Sequence, residues 1–178
     1  MLEGAIQPEN LAKAARQLRF PAIGLADRAN MFAAMDFAAA AKDNGIQPVT
    51  GALLPIERPG SATLQGRALI DWLVIYAQDA AGYTNLIGLV SDAHLGSEMA
   101  GDPVLRLEQL DGRTEGLICL TGGADGALAR LLAEGQSVDA MTDRLEGLFP
   151  GRLYIEISRS DEPIEQKSEA GLLRLAEA

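Results

Sequence analysis

The feature that most constrains the fold is a nearly unbroken run of apolar residues at positions 68–77. Its larger apolar members are Leu69, Ile70, Trp72, Leu73, Val74, Ile75 and Tyr76. A strand that is apolar at consecutive positions, rather than at alternate ones, is typical of a strand buried on both faces. Helices cover the faces of such sheets, so the run indicates an α/β protein.

Helical and strand patterns alternate along the rest of the chain. Helices are predicted at about 8–18, 31–44, 80–95, 127–134 and 138–148 and from Pro163 onward, and further strands at 22–26, 46–54, 117–120 and 153–158. Pro8 suits a first helical turn, Gly45 a helix stop and Ser137 an N-cap. The alternation predicts a mainly parallel sheet or a partial barrel. No repeat or composition shift divides the chain, so residues 1–178 are treated as one domain.

Two predicted helices carry apolar faces, and the last one continues to the end of the chain. Phe32, Met35 and Ala39 share one face of the helix at 31–44. In the helix at 80–95, the residues predicted to point inward are Tyr83, Leu86, Ile87 and Val90. The final helix keeps its apolar spacing without a Gly or Pro stop. This predicts a chain that is cut short, with a natural frayed helix as the alternative.

Charge and cysteine content exclude several classes of function. The 178 residues hold 15 Lys and Arg against 25 Asp and Glu, a formal net charge of −10. Such a surface repels phosphate backbones, which argues against direct DNA binding by these residues. The sequence has one cysteine, Cys119, and one histidine, His94. A single cysteine excludes an internal disulfide and multi-cysteine zinc patterns. No signal peptide or membrane-spanning run is present, so a cytoplasmic location is predicted.

Most candidate site residues also have a structural interpretation. Asp27 follows a predicted strand, where it could be catalytic, but a turn or capping role is favoured. The turn at 122–126 could cradle a phosphate, yet it lacks the Lys-Ser/Thr of a P-loop, and a tight turn is favoured. His94 is assigned to the surface and Cys119 to the core. The acidic residues near the end of the chain are assigned to a solvated face: Asp161, Glu162, Glu165 and Glu169. No catalytic role is assigned to Ser158 or Ser160.

Six segments, in order, resemble the PHP domain (polymerase and histidinol phosphatase), in the form found in the bacterial replicative DNA polymerase III alpha subunit. Each motif alone is weak, but six in the right order over the whole chain are a strong signal. The segments are Met1-Leu2-Glu3-Gly4-Ala5-Ile6, Pro21 to Phe32, Gly45-Ile46-Gln47-Pro48-Val49-Thr50-Gly51, Gly82-Tyr83-Thr84-Asn85-Leu86, Glu115 to Gly123, and Arg152-Leu153-Tyr154-Ile155-Glu156-Ile157.

The resemblance implies a partial, distorted (β/α)7 barrel with mainly parallel strands, and a site that departs from the family pattern. Metal-binding members hold metal ions at the barrel mouth and cleave phosphate esters. Four family ligand positions are occupied here by Arg28, Leu53, Trp72 and Gly123. Leu and Trp offer no ligand atom and Arg adds a positive charge, so no metal, cofactor or catalytic residue is predicted. Asp27 and Glu156 are candidate remnants, and Arg28 could pair with either in place of the metal charge.

The resemblance also implies a function and partners. The parent protein would be a DNA-directed DNA polymerase whose nucleotidyl-transfer site lies outside these residues. This region would be a non-catalytic scaffold, in contact with the polymerase core of the same chain and with a proofreading exonuclease subunit, and with neither DNA nor a membrane as a partner. Two alternatives stay open: a metal-dependent phosphoesterase or 3′–5′ exonuclease, and a free-standing α/β binding module.

Overall fold

A computed structural model describes residues 6–61, 68–96 and 102–177, so most of the first motif lies outside the described residues. Six α-helices and six strands are present in these ranges. The helices are α1 (Pro8–Gln17), α2 (Ala34–Asp43), α3 (Ala80–Leu95), α4 (Ala127–Ala133), α5 (Asp139–Leu148) and α6 (Pro163–Glu177). The strands are β1 (Ala22–Arg28), β2 (Gln47–Glu57), β3 (Ile70–Ala77), β4 (Leu105–Arg106), β5 (Leu117–Leu120) and β6 (Leu153–Tyr154).

The strands form one open sheet in the order β1-β2-β3-β5-β6, with β4 paired to the end of β2. Pairs β1–β2, β2–β4 and β5–β6 are parallel, whereas β3 is antiparallel to both β2 and β5. Five strands therefore run in one direction and β3 runs against them. The predicted α/β class and mainly parallel sheet are confirmed. The described strands do not close into the seven-stranded barrel.

One face of the sheet forms the main hydrophobic core. On β3, Leu73 and Ile75 belong to this core, together with Ala52 and Leu54 of the neighbouring strand β2. Because side chains alternate across a strand, Trp72, Val74 and Tyr76 lie on the opposite face. The helices that pack on the core face contribute Leu86, Leu89, Leu128, Leu145, Leu148 and Leu172. Trp72 and Tyr76 keep partial exposure, so the prediction that β3 is buried on both faces is only partly correct.

The core-facing side differs from the prediction in α2, and in part in α3. In α2 the buried residues include Phe37 and Ala41, while Phe32 is 87 % and Met35 is 74 % exposed. The apolar face shared by Phe32, Met35 and Ala39 therefore faces away from the core. In α3 the buried set is Gly82, Leu86, Leu89 and Ala93. Of the residues predicted to point inward, Leu86 is buried and Val90 packs against the core, whereas Tyr83 and Ile87 are exposed. Gly82 belongs to this face because a Cβ there would lie 1.8 Å from the carbonyl oxygen of Gly116.

The end of the chain differs from the prediction in one further respect. The strand expected at 153–158 is paired only at Leu153–Tyr154. Beyond it, the hydroxyl of Thr121 accepts the N–H of Glu156 at 3.0 Å, so a side chain replaces the next ladder hydrogen bond.

Ser137 precedes the N-cap position of α5, and its hydroxyl accepts the N–H of Asp139 at 3.3 Å. Within the described ranges, no helix combines the length and hydropathy that a membrane span requires.

Candidate functional site

The structure brings the four positions that the family resemblance predicts to be substituted ligand positions towards one region of the sheet face opposite the core. Arg28 ends β1 and is the register partner of Leu53 on β2. The Cζ atom of Arg28 lies 4.7 Å from the centroid of the Trp72 ring, at the start of the reversed strand β3. A Cβ on Gly123 would lie 3.6 Å from the carboxyl carbon of Glu156. Strand alternation directs Asp27 to the other face, away from its neighbour Arg28.

The guanidinium of Arg28 contacts both an aromatic ring and a carboxylate. Its Nη2 donates to Oδ2 of Asp125 at 2.6 Å, while the guanidinium lies over Trp72. Sequence reasoning offered Asp27 and Glu156 as partners and missed Asp125. Asp125 lies in the glycine-rich turn after β5, 97 residues from Arg28 along the chain. The order of strands in the sheet brings the two together, and no local pattern in the sequence reveals that order.

From Asp125 a chain of ion pairs continues away from the site. Arg130 of α4 lies 3.3 Å from Oδ1 of Asp125 and 3.1 Å from Oδ1 of Asp71, and it donates to the carbonyl of Ile70 at 2.6 Å. Asp71 also accepts two hydrogen bonds from Arg58, at 2.7 and 2.8 Å. The central Arg58–Asp71 pair is buried, with Asp71 2 % and Arg58 7 % exposed.

The positive and negative charges in this series of ion pairs are equal in number. Glu134 is its last member, 3.6 Å from Arg58, so the series joins three guanidinium groups and three carboxylates. The hydrogen bond to Asp71 raises the pKa of Arg58, which keeps this buried group cationic. Buried charges are tolerated when they are paired and hydrogen-bonded, and removing one partner is strongly destabilising. The chain therefore connects the position of Arg28 to the buried pair between β2 and β3.

A tight turn after β1 holds Arg28 at the site. Ala29 has a left-handed φ of 52°, and its N–H donates to the carbonyl of Leu53 at 2.8 Å. The side chain of Asn30 donates to the carbonyl of Arg28 at 2.8 Å. His94, exposed at the end of α3 as predicted, lies with Nε2 2.7 Å from the carbonyl oxygen of Ala29. A carbonyl can only accept, so Nε2 carries the hydrogen in this contact.

Glu156 is a half-buried carboxylate beside the site. Its Oε2 atom is buried and has no hydrogen-bond partner among the described residues. Burial raises the pKa of Glu156, and the N–H of Gly122 partly offsets the effect. Burial, with a smaller contribution from the charge of Glu156, also raises the pKa of Tyr76. The ring of Tyr76 occupies space left by two glycines, since a Cβ would lie 2.9 Å from it at Gly24 and 2.5 Å at Gly51.

The glycine-rich turn at 122–126 is explained by close backbone contacts. Gly122 and Gly123 have φ values of 81° and 52°, in the left-handed region that favours glycine. A Cβ on Gly122 would lie 1.9 Å from the carbonyl oxygen of Trp72. At Gly126 it would lie 1.7 Å from the carbonyl oxygen of Thr121. These contacts account for the glycines without a bound phosphate.

The remaining candidates have structural environments. Cys119 is fully buried, which raises the pKa of its thiol. Glu165 was assigned to a solvated face, and this was wrong: it is 7 % exposed and accepts the Ser158 hydroxyl at 2.5 Å and the N–H of Ser160 at 2.6 Å. The Ser158 hydrogen bond is the main reason that the pKa of Glu165 is lowered. Asp161 and Glu162 are exposed, and Glu169 pairs with Arg159 at 2.6 Å.

The donor set does not fit a bound metal ion. The side chains of Leu53 and Trp72 have no ligand atoms, and Gly123 has no side chain. The guanidinium of Arg28 is a cation and is hydrogen-bonded to Asp125. Among the described residues, no group of three or more His, Cys, Asp or Glu side chains is placed to hold a metal. A divalent metal site needs several converging oxygen, nitrogen or sulfur ligands.

Comparison with known proteins assigns the chain to a family. The profile of the PHP domain matches residues 1–160. The chain belongs to the PHP domain family. This PHP domain is 37 % identical over 178 residues to DNA polymerase III subunit alpha of Caulobacter vibrioides, covering 99 % of this chain and 16 % of that protein. It is 32 % identical over 180 residues to the same subunit of Escherichia coli K12, covering 100 % of this chain and 15 % of that protein.

Two further similarities agree with this assignment. An error-prone DNA polymerase of Symbiobacterium thermophilum is 31 % identical over 194 residues, covering 99 % of this PHP domain and 17 % of that protein. The crystal structure of a proposed metal-dependent phosphoesterase from Bifidobacterium adolescentis shares the fold, with a TM-score of 0.55 and 12 % sequence identity. That match covers 98 % of this chain and 79 % of the other. The PHP domain thus spans about one sixth of the polymerases it matches.

The first prediction tests whether Arg28 is a structural element of the site. Arg28→Ala removes both the Asp125 ion pair and the contact with Trp72, and it should lower the free energy of unfolding by more than about 1 kcal/mol, measured by urea denaturation. Arg144→Ala is the matched control, because Arg144 pairs with Asp111 at 2.7 Å with comparable exposure and should cost less than about 1 kcal/mol. Equal effects, or an unchanged melting temperature for Arg28→Ala, would argue against a structural role.

The second prediction concerns the pH dependence of stability at Glu156. Because burial raises its pKa in the folded chain, its protonated form favours folding; this contribution is complete below the unfolded pKa and is lost as the pH rises through the folded pKa. Glu156→Gln should therefore be more stable than the natural chain at neutral pH and equally stable below about pH 4, near the unfolded pKa of Glu. Urea denaturation at both pH values checks this. A variant that is less stable at neutral pH would show that the carboxylate has a stabilising partner.

Proposed function

We propose that this PHP domain is a metal-free, non-catalytic scaffold within a DNA polymerase III alpha subunit. The observation that carries the proposal is the position of Arg28, whose guanidinium contacts Asp125 and Trp72 where metal-binding relatives would present a ligand. The side chains of the site interact with each other instead of converging on an open position. Catalysis by a metal site requires such an open position for water or substrate.

The similarity to polymerases supports the part of the proposal that places this domain within a DNA polymerase III alpha subunit. The relatives are DNA polymerase III alpha subunits that are several times longer than this chain. The nucleotidyl-transfer site would lie in the remaining part of such a polymerase, which acts in the cytoplasm. The net charge of −10 favours contacts with protein over contacts with a phosphate backbone. The PHP domain would brace the polymerase core and provide a docking surface for the proofreading exonuclease subunit.

One observation favours a second candidate, a metal-dependent phosphoesterase or 3′–5′ exonuclease. The Oε2 atom of Glu156 is buried without a partner, as the oxygen of a metal ligand would be. The missing donors at Leu53 and Trp72 weigh against this alternative. The third interpretation, a free-standing α/β binding module, requires a gene product of about this length with no polymerase region attached.

A binding titration tests the proposed role. The full-length gene product is titrated with the proofreading exonuclease subunit of the same organism, first with excess chelator and then with zinc in place of the chelator. The proposal expects the same affinity in both buffers, because the docking domain is held together by its own side chains.

Two results would contradict the scaffold proposal. Binding that disappears with chelator and returns with zinc would show that a metal site shapes the surface. An absence of binding in both buffers would remove the docking role. As a control, the proofreading subunit alone is kept in the same chelator, and circular dichroism checks that it remains folded. This control separates the metal dependence of the proofreading subunit from that of the PHP domain.

A further inference from the structure

The pair Asn44-Gly45, at the end of α2, has a chemistry that no other pair in this sequence shares. When an asparagine cyclises, the backbone nitrogen of the following residue attacks the side-chain carbonyl carbon. Glycine hinders this attack least, because it has no side chain and few backbone conformations are closed to it. The sequence holds four asparagines, and only Asn44 is followed by glycine. Asn44 is therefore the asparagine at which cyclisation is least hindered by its neighbour.

In the folded chain, the end of α2 is a Schellman motif that includes this pair. Gly45 has a left-handed φ of 69°, and its N–H donates to the carbonyl of Lys42 at 3.0 Å. The N–H of Ile46 donates to the carbonyl of Ala41 at 2.9 Å, and the side chains of these two residues belong to the same small hydrophobic cluster. Both hydrogen bonds and the apolar contact are the defining features of this motif. They hold Gly45 in one conformation.

The motif keeps Asn44 from reacting. The side-chain nitrogen of Asn44, which would leave, donates to the carbonyl of Ala40 at 2.8 Å. The nitrogen of Gly45, which would attack, has its hydrogen bonded to Lys42. The backbone angle also opposes ring closure, because at a ψ of 2° the nitrogen of Gly45 eclipses the backbone nitrogen of Asn44 and not its Cβ. Attack therefore requires that the motif open and that this angle change.

We propose that Asn44 is a deamidation site that becomes reactive when the end of α2 opens. The nitrogen of Gly45 loses its proton to solvent and bonds to Cγ of Asn44. The bond from Cγ to Nδ2 breaks, and Nδ2 takes a proton from solvent and leaves as ammonia. The product is a cyclic imide. Water then adds to either carbonyl of the ring and opens it, which leaves aspartate or isoaspartate at position 44.

The surroundings of the motif allow this opening to be local. The cluster beneath it consists of Ala15, Ala41 and Ile46, with Ile23 packed against it, and it is separate from the main core. Helix ends with few buried apolar contacts open at a lower free energy than core strands do. The end of α2 can therefore open while β3 and the helices on the main core stay in place.

Conversion would change the charge and the length of the chain just before β2. The new carboxylate would follow Asp43 at the negative end of the helix dipole, and it has no hydrogen to donate to the carbonyl of Ala40. Isoaspartate also adds one methylene to the backbone before Gln47, whose N–H donates to the carbonyl of Pro21 at 3.0 Å. The modification would therefore weaken the pairing of β2 with β1, the strand that ends at Arg28.

Peptide mass spectrometry of the full-length gene product, kept folded in mildly alkaline buffer, tests the proposal. The expected result is the mass change from amide to acid at Asn44, with an isoaspartate form separated by chromatography, and no change at Asn30 or Asn85. Asn44→Gln should abolish the signal. The same protein unfolded in urea should convert at Asn44 at least about tenfold faster.

Two results of this experiment would overturn the proposal. Equal rates in the folded and unfolded protein would show that the motif does not protect Asn44. An absence of conversion in the folded protein, over a time in which the unfolded protein converts completely, would show that the end of α2 does not open.

A matched pair of substitutions separates local opening from global unfolding. Ile46 and Ile56 lie at opposite ends of the same stretch of chain and are both buried, at 6 % and 3 % exposed, but only Ile46 packs under the motif. Ile46→Val should speed the conversion of Asn44 several-fold, whereas Ile56→Val, which removes the same methyl group from the main core, should leave the rate unchanged. Equal acceleration by both variants would show that Asn44 reacts only after global unfolding, which would contradict a local site.

Discussion

The carboxylate of Asp71 is buried at the beginning of β3, and the arrangement around the site depends on the two guanidinium groups that contact it. Arg58 binds it through two hydrogen bonds from the end of β2, and Arg130 reaches it from α4. Leaving a buried charge without its partner costs on the order of 3–5 kcal/mol. This requirement fixes the position of α4 relative to the ends of β2 and β3, which are distant from it in sequence. Arg130 also forms an ion pair with Asp125, and Asp125 forms one with Arg28.

The site follows from this constraint. In a metal-binding fold, carboxylates that converge at the ends of strands have their charge balanced by cations. Here the positive charge is part of the protein itself, because it belongs to arginine side chains whose guanidinium groups stay protonated. An arginine stacked on Trp72 and paired with Asp125 stabilises its surroundings at every metal concentration. This arrangement of Arg28 is the observation on which the proposed scaffold role rests.

Local patterns allowed much of the fold to be predicted from the sequence, whereas contacts between distant residues could not be predicted. The apolar run at 68–77, the proline at the start of α1 and the glycine after α2 lie where the structure has β3, a first helical turn and a helix stop. The reversed direction of β3 could not be predicted from its own residues, because a run of apolar side chains is compatible with either strand direction. The inward face of α2 was predicted wrongly, because Phe37 and three alanines face the core there while Phe32 and Met35 are exposed. In α3 the prediction was right for Leu86 and Val90 and wrong for Tyr83 and Ile87. The substituted ligand positions stay a prediction from family resemblance. The Arg28–Asp125 pair could not be predicted, because it depends on strand order.

The most direct measurement is the metal content of the purified full-length protein, combined with its melting temperature before and after dialysis against a strong chelator. The account predicts less than stoichiometric zinc, manganese or magnesium bound to the PHP region and an unchanged melting temperature, because arginine side chains supply the positive charge of the site. Stoichiometric metal that resists dialysis, together with a lower melting temperature once the chelator removes it, would contradict the account and show that the site still depends on a metal.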